Sequence, residues 1–269
     1  MTHSIHPTAI VAPEASIAAE VTVGPYCIIG PHVVLEKGVT LQSHVVIDGH
    51  TNLGAGVQMF PFSSISVPQD LKYAGEPSRV EVGERTIIRE YATINPGTAG
   101  GTMLTKVGSD CLLMISTHVA HDCIVGNHVI MANHATLAGH VEVGDHAIIG
   151  GLSAVHQKVR IGVHAIIGGM SAVEKDVIPF GMVKGERAFL AGLNLVGMKR
   201  RGFTRQAMQE LRETYEAIFH GVGALAEVLA ALQSQSQHSP EVKTLLDFLT
   251  ADNARPICQP KENDRGEDA

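Results

Sequence analysis

A chain of 269 residues with 45% hydrophobic content can hold one large domain and a smaller one. Its formal net charge of −7 argues against a nucleic-acid protein, because phosphate binding calls for a basic surface. With no Trp and only 4% aromatics, the core must be built from Ile, Val, Leu and Ala, which suits stacked flat layers.

The first residues show no basic segment followed by an apolar run, and no uncharged apolar stretch is long enough to span a membrane. From Ile5 an aliphatic residue recurs every sixth position: Val11, Ile17, Val23, Ile29, Leu35, Leu41, Ile47, Leu53, Met59 and Ile65. The register resumes at Val82, Ile88 and Ile94, then runs unbroken from Val107 to Val173. A period of six fits neither a helix nor an ordinary strand, and predicts a solenoid. Four places after each aliphatic residue comes a small or β-branched one, such as Val33, Val39, Val129, Ala135 or Ser153. Cys27, Cys111 and Cys123 share that place and read as reduced core thiols, without zinc or disulfide spacing. The expected location is the cytoplasm.

Two stretches break the period, 66–81 and 95–106. Both are expected to leave the solenoid as loops. The first carries Asp70, Lys72 and Tyr73 in a short cluster and is the better functional candidate. The second is Gly- and Thr-rich, and both a place on the binding face and tolerated surface insertion stay open for it. Beyond Pro179 the pattern turns helical. Thr204 caps a helix with Ala207, Leu211, Tyr215 and Ile218 on one side, a second covers 224–232, and Ser239-Pro240-Glu241 opens a third. The division expected is a solenoid over 1–180 and a helical domain over 181–269 that covers the open end of the solenoid and finishes in a frayed tail.

Between Ser116 and Gly150 histidines crowd the repeat. In a solenoid of three hexads per coil, residues eighteen apart stack. His128, His146 and His164 form one such column, read as a polar place pointing outward to solvent or to a subunit interface. His118 and His121 fall outside it. His121, Gly139 and Gln157 form another column, which puts a neutral imidazole beside a glycine N–H on the next coil. A base and an oxyanion donor are the minimum equipment for acyl transfer to an alcohol.

The repeat resembles the hexapeptide-repeat acyltransferases. That resemblance implies a mainly β fold, a left-handed parallel β-helix of roughly nine coils about 40 Å long, with a small C-terminal α-helical domain. The usual crossover rule would give the opposite hand. Within the family, QDLKYAGEP (69–77), HVAHDC (118–123), LAGH (137–140), AVHQ (154–157) and GLNLVGMKRRGF (192–203) occur in order. Together they resemble the branch that opens lipid A synthesis by moving a 3-hydroxyacyl group from acyl carrier protein to the 3-hydroxyl of UDP-N-acetylglucosamine.

By that resemblance His121 is the general base, Asp122 sets its orientation and charge, and Gly139 gives its N–H to the thioester oxygen. Asp70, Lys72, His118, His140, His156 and Gln157 would line the substrate cleft. Asn194, Arg200 and Arg201 would reach the uridine diphosphate from a neighbouring subunit of a homotrimer, guanidiniums offering paired donors to phosphate. Lys199, Arg205 and Arg212 would dock the acidic carrier protein. Gly169 lies where the family measures acyl length and, lacking a side chain, implies a long chain of the hydroxymyristoyl kind. Val196 stands where some members carry a glutamate that contacts the nucleotide. No cofactor or metal is implied.

Three alternatives remain open in the sequence. Related carbonic anhydrases of the same repeat hold zinc through three histidines across a trimer interface. A non-catalytic β-helix would have monotonous faces, without loops or a basic helical end. A related N-acylating enzyme carries a uridine-binding domain before its solenoid, for which a repeat starting at Ile5 is expected to leave no room.

Overall fold

The computed structural model describes residues 4–69, 71–235, 237–252 and 255–261; of the tail expected to fray, the end beyond 261 lies outside the described residues, while Ile257 and Cys258 are buried and paired to Asp176 rather than frayed. The hexads become short strands on three faces of a triangular prism, a left-handed parallel β-helix with sheets of 11, 9 and 8 strands. Strands one coil apart pair in register at eighteen-residue spacing, as in Ile130↔Ile148, Val119↔Leu137 and Val125↔Val143. The repeating aliphatic residue of each strand points inward, and Leu41, Ile47, Leu53, Met131, Leu137 and Ile149 are fully buried. Burial of each such side chain is worth about 1.5–3 kcal/mol, so the stacked columns carry most of the stability.

The corners explain much of the histidine content. His44, His128, His134, His140, His146 and His164 all adopt φ between 56° and 61°, as does Asp122 at 59°. Histidine, Asn and Asp are the non-glycine residues that enter this left-handed region most readily. Many of these tight corners are therefore filled by histidine rather than by Gly or Asn.

Both excursions leave the prism at the same corner. Each departs from a strand of the nine-stranded sheet, Ser64–Ile65 or Thr93–Ile94, and returns to one of the eight-stranded sheet, Arg79–Val82 or Leu104–Val107. His121, Gly139 and Gln157 occupy that corner in later coils, because His118–Val119 belongs to the nine-stranded sheet and Ile124–Val125 to the eight-stranded one. The loops therefore project from the edge that carries the candidate base.

At the C-terminal end, Gly181–Lys184 adds to the 11-stranded sheet and Phe189–Leu193 pairs antiparallel with it. Then come α1 (Leu195–Arg200), α2 (Arg205–His220), α3 (Leu225–Gln233) and α4 (Pro240–Thr250). Thr204 and Ser239 cap α2 and α4 through their hydroxyls, as the sequence predicts. The last coil is covered differently from expectation. Its edges pair with the added hairpin and, through Asp176↔Ile257, with residues 256–258, and Leu190 of that hairpin donates its N–H to the Gln259 carbonyl. The helices instead attach along the side: the Arg160 guanidinium lies 4.3 Å over the Phe248 ring of α4, and Phe203 packs on His164. Among the described residues no helix is long and apolar enough to cross a membrane.

Candidate active site

His121 follows the strand His118–Val119 and enters the corner, where Asp122 takes the left-handed turn. His121 Nδ1 lies 2.8 Å from Asp122 Oδ2. A carboxylate only accepts, so Nδ1 carries the proton and Nε2 presents its lone pair outward. On the next coil Gly139 lies beneath the ring: a Cβ added there would stand 2.5 Å from His121 Cε1 and 2.6 Å from Nε2. Any side chain would displace the imidazole. His140, one residue on, meets the His121 ring edge-to-face with centroids 5.0 Å apart.

The cleft in front of His121 has a volume of ≈ 440 Å³ and is lined by both excursions, including Lys72 and Tyr73 from the first and Pro96 and Thr98 from the second, with His118 at its floor. The excursions are tied together by Asn95 Nδ2, which donates to the Val67 carbonyl at 2.8 Å. His118 Nδ1 is linked to Thr93 Oγ1 at 2.7 Å. Burial, with a smaller contribution from the neighbouring His121, lowers the His118 pKa and keeps that ring neutral. At Asp122 burial opposes ionisation, but hydrogen bonds from His121, Thr98 and Thr102 outweigh it and hold the carboxyl below its ordinary value. An anion thus sits against the proton-bearing nitrogen of a half-exposed imidazole, ready to stabilise an imidazolium.

Of the sequence-predicted residues, one chain brings together His118, His121, Asp122, Gly139 and His140, with Lys72 at the mouth. His156 and Gln157 are exposed at the same corner one coil beyond Gly139. Asp70 lies outside the described residues. The others sit elsewhere. Gly169 is at the corner between the 11- and nine-stranded sheets, following the strand Ile166–Ile167. Asn194 caps α1 and donates from Nδ2 to the His164 carbonyl at 2.9 Å, while Arg201 Nη2 donates to the His146 carbonyl at 3.0 Å. Both are therefore fixed at the third corner, away from His121 of the same chain. Arg200 is exposed at the end of α1. Lys199, Arg205 and Arg212 surround a depression of ≈ 320 Å³ with Leu195 and Met208 in its floor.

The column His128, His146 and His164 does stack, ring on ring, and continues into Phe180. It is less solvated than expected at its C-terminal end, where Phe203 meets His164. Burial, followed by the charges of His146 and Arg201, pushes the His164 pKa down to about 4. Sequence reasoning missed the partners of Asp122 in the second excursion, Thr98 and Thr102. Their signal was only a Gly- and Thr-rich composition.

One group among the described residues has the makings of a cation site: His121, Asp122 and His140, whose ligand atoms lie within 4.8 Å of one another. The donors do not favour it. Both Asp122 oxygens already accept from Thr98, Thr102 and His121, so a cation would have to displace those bonds.

A prism of hexads with an imidazole–carboxylate pair facing a loop-walled cleft marks a hexapeptide-repeat transferase, and residues 104–139 match the family model described as bacterial transferase hexapeptide (six repeats). Residues 176–258 match a second model, domain 2 of UDP N-acetylglucosamine O-acyltransferase. The acyl-[acyl-carrier-protein]–UDP-N-acetylglucosamine O-acyltransferase of Paracoccus denitrificans (strain Pd 1222) is 48% identical over 203 residues, 75% of this chain and 77% of that protein. Among solved structures, LpxA from Acinetobacter baumannii is 43% identical with a TM-score of 0.91, covering 95% of this chain and 99% of that one. UDP-N-acetylglucosamine O-acyltransferase (LpxA) from Moraxella catarrhalis RH4 is 40% identical with a TM-score of 0.88, covering 90% and 95%. The chain belongs to the acyl-[acyl-carrier-protein]–UDP-N-acetylglucosamine O-acyltransferase family.

Proposed function

We propose that the protein transfers an (R)-3-hydroxyacyl group from acyl carrier protein to the 3-hydroxyl of UDP-N-acetylglucosamine, the first step of lipid A biosynthesis, by direct attack. The observation that carries this is the His121 ring, held at Nδ1 by Asp122 and stacked against the backbone of Gly139. His121 Nε2 takes the proton of the sugar hydroxyl as its oxygen bonds to the thioester carbon. The carbonyl oxygen becomes an oxyanion, which the Gly139 N–H stabilises. Among the described residues that N–H donates to no other group. When the intermediate collapses, the carbon–sulfur bond breaks and the imidazolium returns its proton to the departing thiolate of the carrier. No acyl-enzyme is needed. All four cysteines are buried free thiols, and burial pushes Cys123 up to about 12, so none competes as a nucleophile.

In this reading Asp70, Lys72, His118, His140, His156 and Gln157 line the cleft, Asn194, Arg200 and Arg201 bind the diphosphate, and Lys199, Arg205 and Arg212 dock the carrier. Because Asn194 and Arg201 are held at a corner other than that of His121, the reading requires a neighbouring copy, and a homotrimer is the proposed assembly. An apolar outer face supports it: Ile87, Leu112, Ile130, Ile148, Ile166 and Met182 precede inward residues of the 11-stranded sheet and so point outward. The proposed division of labour gives chemistry to 1–180 and carrier docking to 181–269, in the cytoplasm. The bare backbone at Gly169 leaves room for a hydroxymyristoyl-length chain.

The test is an acyl-transfer assay with carrier thioesters of graded length, offered UDP-N-acetylglucosamine or its 3-amino counterpart, with sedimentation for assembly. The reading expects O-acylation, preference for the longer chain and a trimer. No transfer to the 3-hydroxyl acceptor would refute it.

A further inference from the structure

The 95–106 excursion, for which the sequence leaves binding and tolerated insertion both open, surrounds the carboxylate beneath the candidate base. The Asp122 side chain is completely buried. The Thr98 hydroxyl donates to Oδ2 at 2.7 Å and its N–H reaches both oxygens at 3.1 and 3.2 Å. The Thr102 N–H donates to Oδ1 at 2.7 Å, and its hydroxyl lies between Oδ1 at 3.1 Å and the Leu104 carbonyl at 2.9 Å. The Asp122 N–H itself donates to Thr105 Oγ1 at 2.8 Å. Gly101 completes the enclosure: a Cβ there would stand 2.3–2.4 Å from the carboxylate atoms, so the loop approaches as closely as a bare backbone allows.

Oδ2 decides the matter, since it also accepts from His121 Nδ1. A carboxylate with one oxygen held by Thr102 and the other by Thr98 has one orientation left, and that orientation aims Oδ2 at the imidazole. We propose that Thr98 is a positioning residue for acyl transfer: through the clamp on Asp122, the second excursion sets the tautomer and aim of His121. The inference rests on His121 being the base. A mere anchor for the loop would need the same contacts but would affect folding, not turnover.

Thr98→Val keeps the shape and the N–H and removes only the hydroxyl. Thr98→Ser restores the donor. Thr86→Val is a matched control, because the buried Thr86 hydroxyl donates to the Gly108 carbonyl at 2.8 Å and is remote from the cleft. Loss of a charge-assisted hydrogen bond predicts a fall in kcat of roughly tenfold for Thr98→Val with KM for UDP-N-acetylglucosamine unchanged. The acid limb of its kcat profile moves to higher pH, because a carboxylate with fewer donors stabilises the protonated form of the neighbouring imidazole more strongly. Thr98→Ser recovers both, and Thr86→Val lowers the thermal midpoint without changing kcat. A folded Thr98→Val with unchanged kcat and profile, or failure of serine to rescue, overturns the proposal. His121→Ala run alongside separates the two levels. If it turns over normally, the general-base reading itself falls. If it is inactive while Thr98→Val is fully active, only the clamp falls.

Discussion

Replacing Gly139 with alanine tests the stacked column directly. Gly139 does not have a positive φ, so alanine is compatible with its backbone and tends to stabilise by stiffening the unfolded chain. The new Cβ, however, would meet His121 Cε1 at 2.5 Å and Nε2 at 2.6 Å. Ordinary carbon contacts lie near ~3.5 Å, so the imidazole must retreat by about 1 Å. Misplacement of a catalytic group by that much costs about 10²-fold, or about 2.7 kcal/mol of barrier. Steady-state transfer from the acyl carrier thioester should therefore show kcat reduced about a hundredfold. The thermal midpoint should stay at or above that of the parent. A Gly139→Ala protein within about threefold of parental kcat would refute the claim that base and glycine share one reaction centre.

Two further outcomes concern stability. His164 is held at a pKa of about 4 against an ordinary 6.5, so the unfolded chain binds the extra proton first as pH falls. Stability is fully present above the unfolded value and declines as pH drops from about 6.5 toward about 4; denaturation midpoints for His164→Phe, which keeps the ring stack, should fall less across that window, and an unaltered slope would contradict this. Asp176, wholly buried, accepts from Arg160 Nε at 2.7 Å and from its N–H at 2.9 Å where α4 and the C-terminal segment meet the last coil. Asp176→Ala removes the carboxylate that balances the charge of that buried guanidinium and should cost about 3–5 kcal/mol in chemical denaturation; a loss under about 1 kcal/mol would show the pair to be dispensable.

The solenoid was legible because its signal repeats. Each inward residue from Val107 to Val173 is fixed by its neighbours eighteen away, and the structure pairs them at that spacing. The helix starts at Thr204 and Ser239 were equally readable, since a capping hydroxyl is a local feature. The same counting brought His121 to Gly139. Counting fails where the chain leaves the period. Thr98 and Asp122 are 24 residues apart across an aperiodic loop, and no spacing rule links them. That both excursions leave the His121 corner follows only once strands are assigned to faces. The hairpin Gly181–Lys184 and Phe189–Leu193 escaped notice because glycines interrupt its alternation and its partners are long-range. The histidine column was read as pointing outward to solvent or a subunit interface because sequence reports polarity but not a left-handed backbone, nor Phe203 arriving from beyond the repeat.

The central claim is that the Nε2 lone pair of His121 removes the proton of the acceptor hydroxyl. Its most direct measurement compares His121→Ala with the parent in transfer of a 3-hydroxyacyl group from acyl carrier protein to UDP-N-acetylglucosamine, with assembly checked by sedimentation. The substituted protein should assemble like the parent and bind the nucleotide sugar while its transfer rate falls by at least about 10²-fold. An assembled His121→Ala protein that turns over at the parental rate would contradict the account.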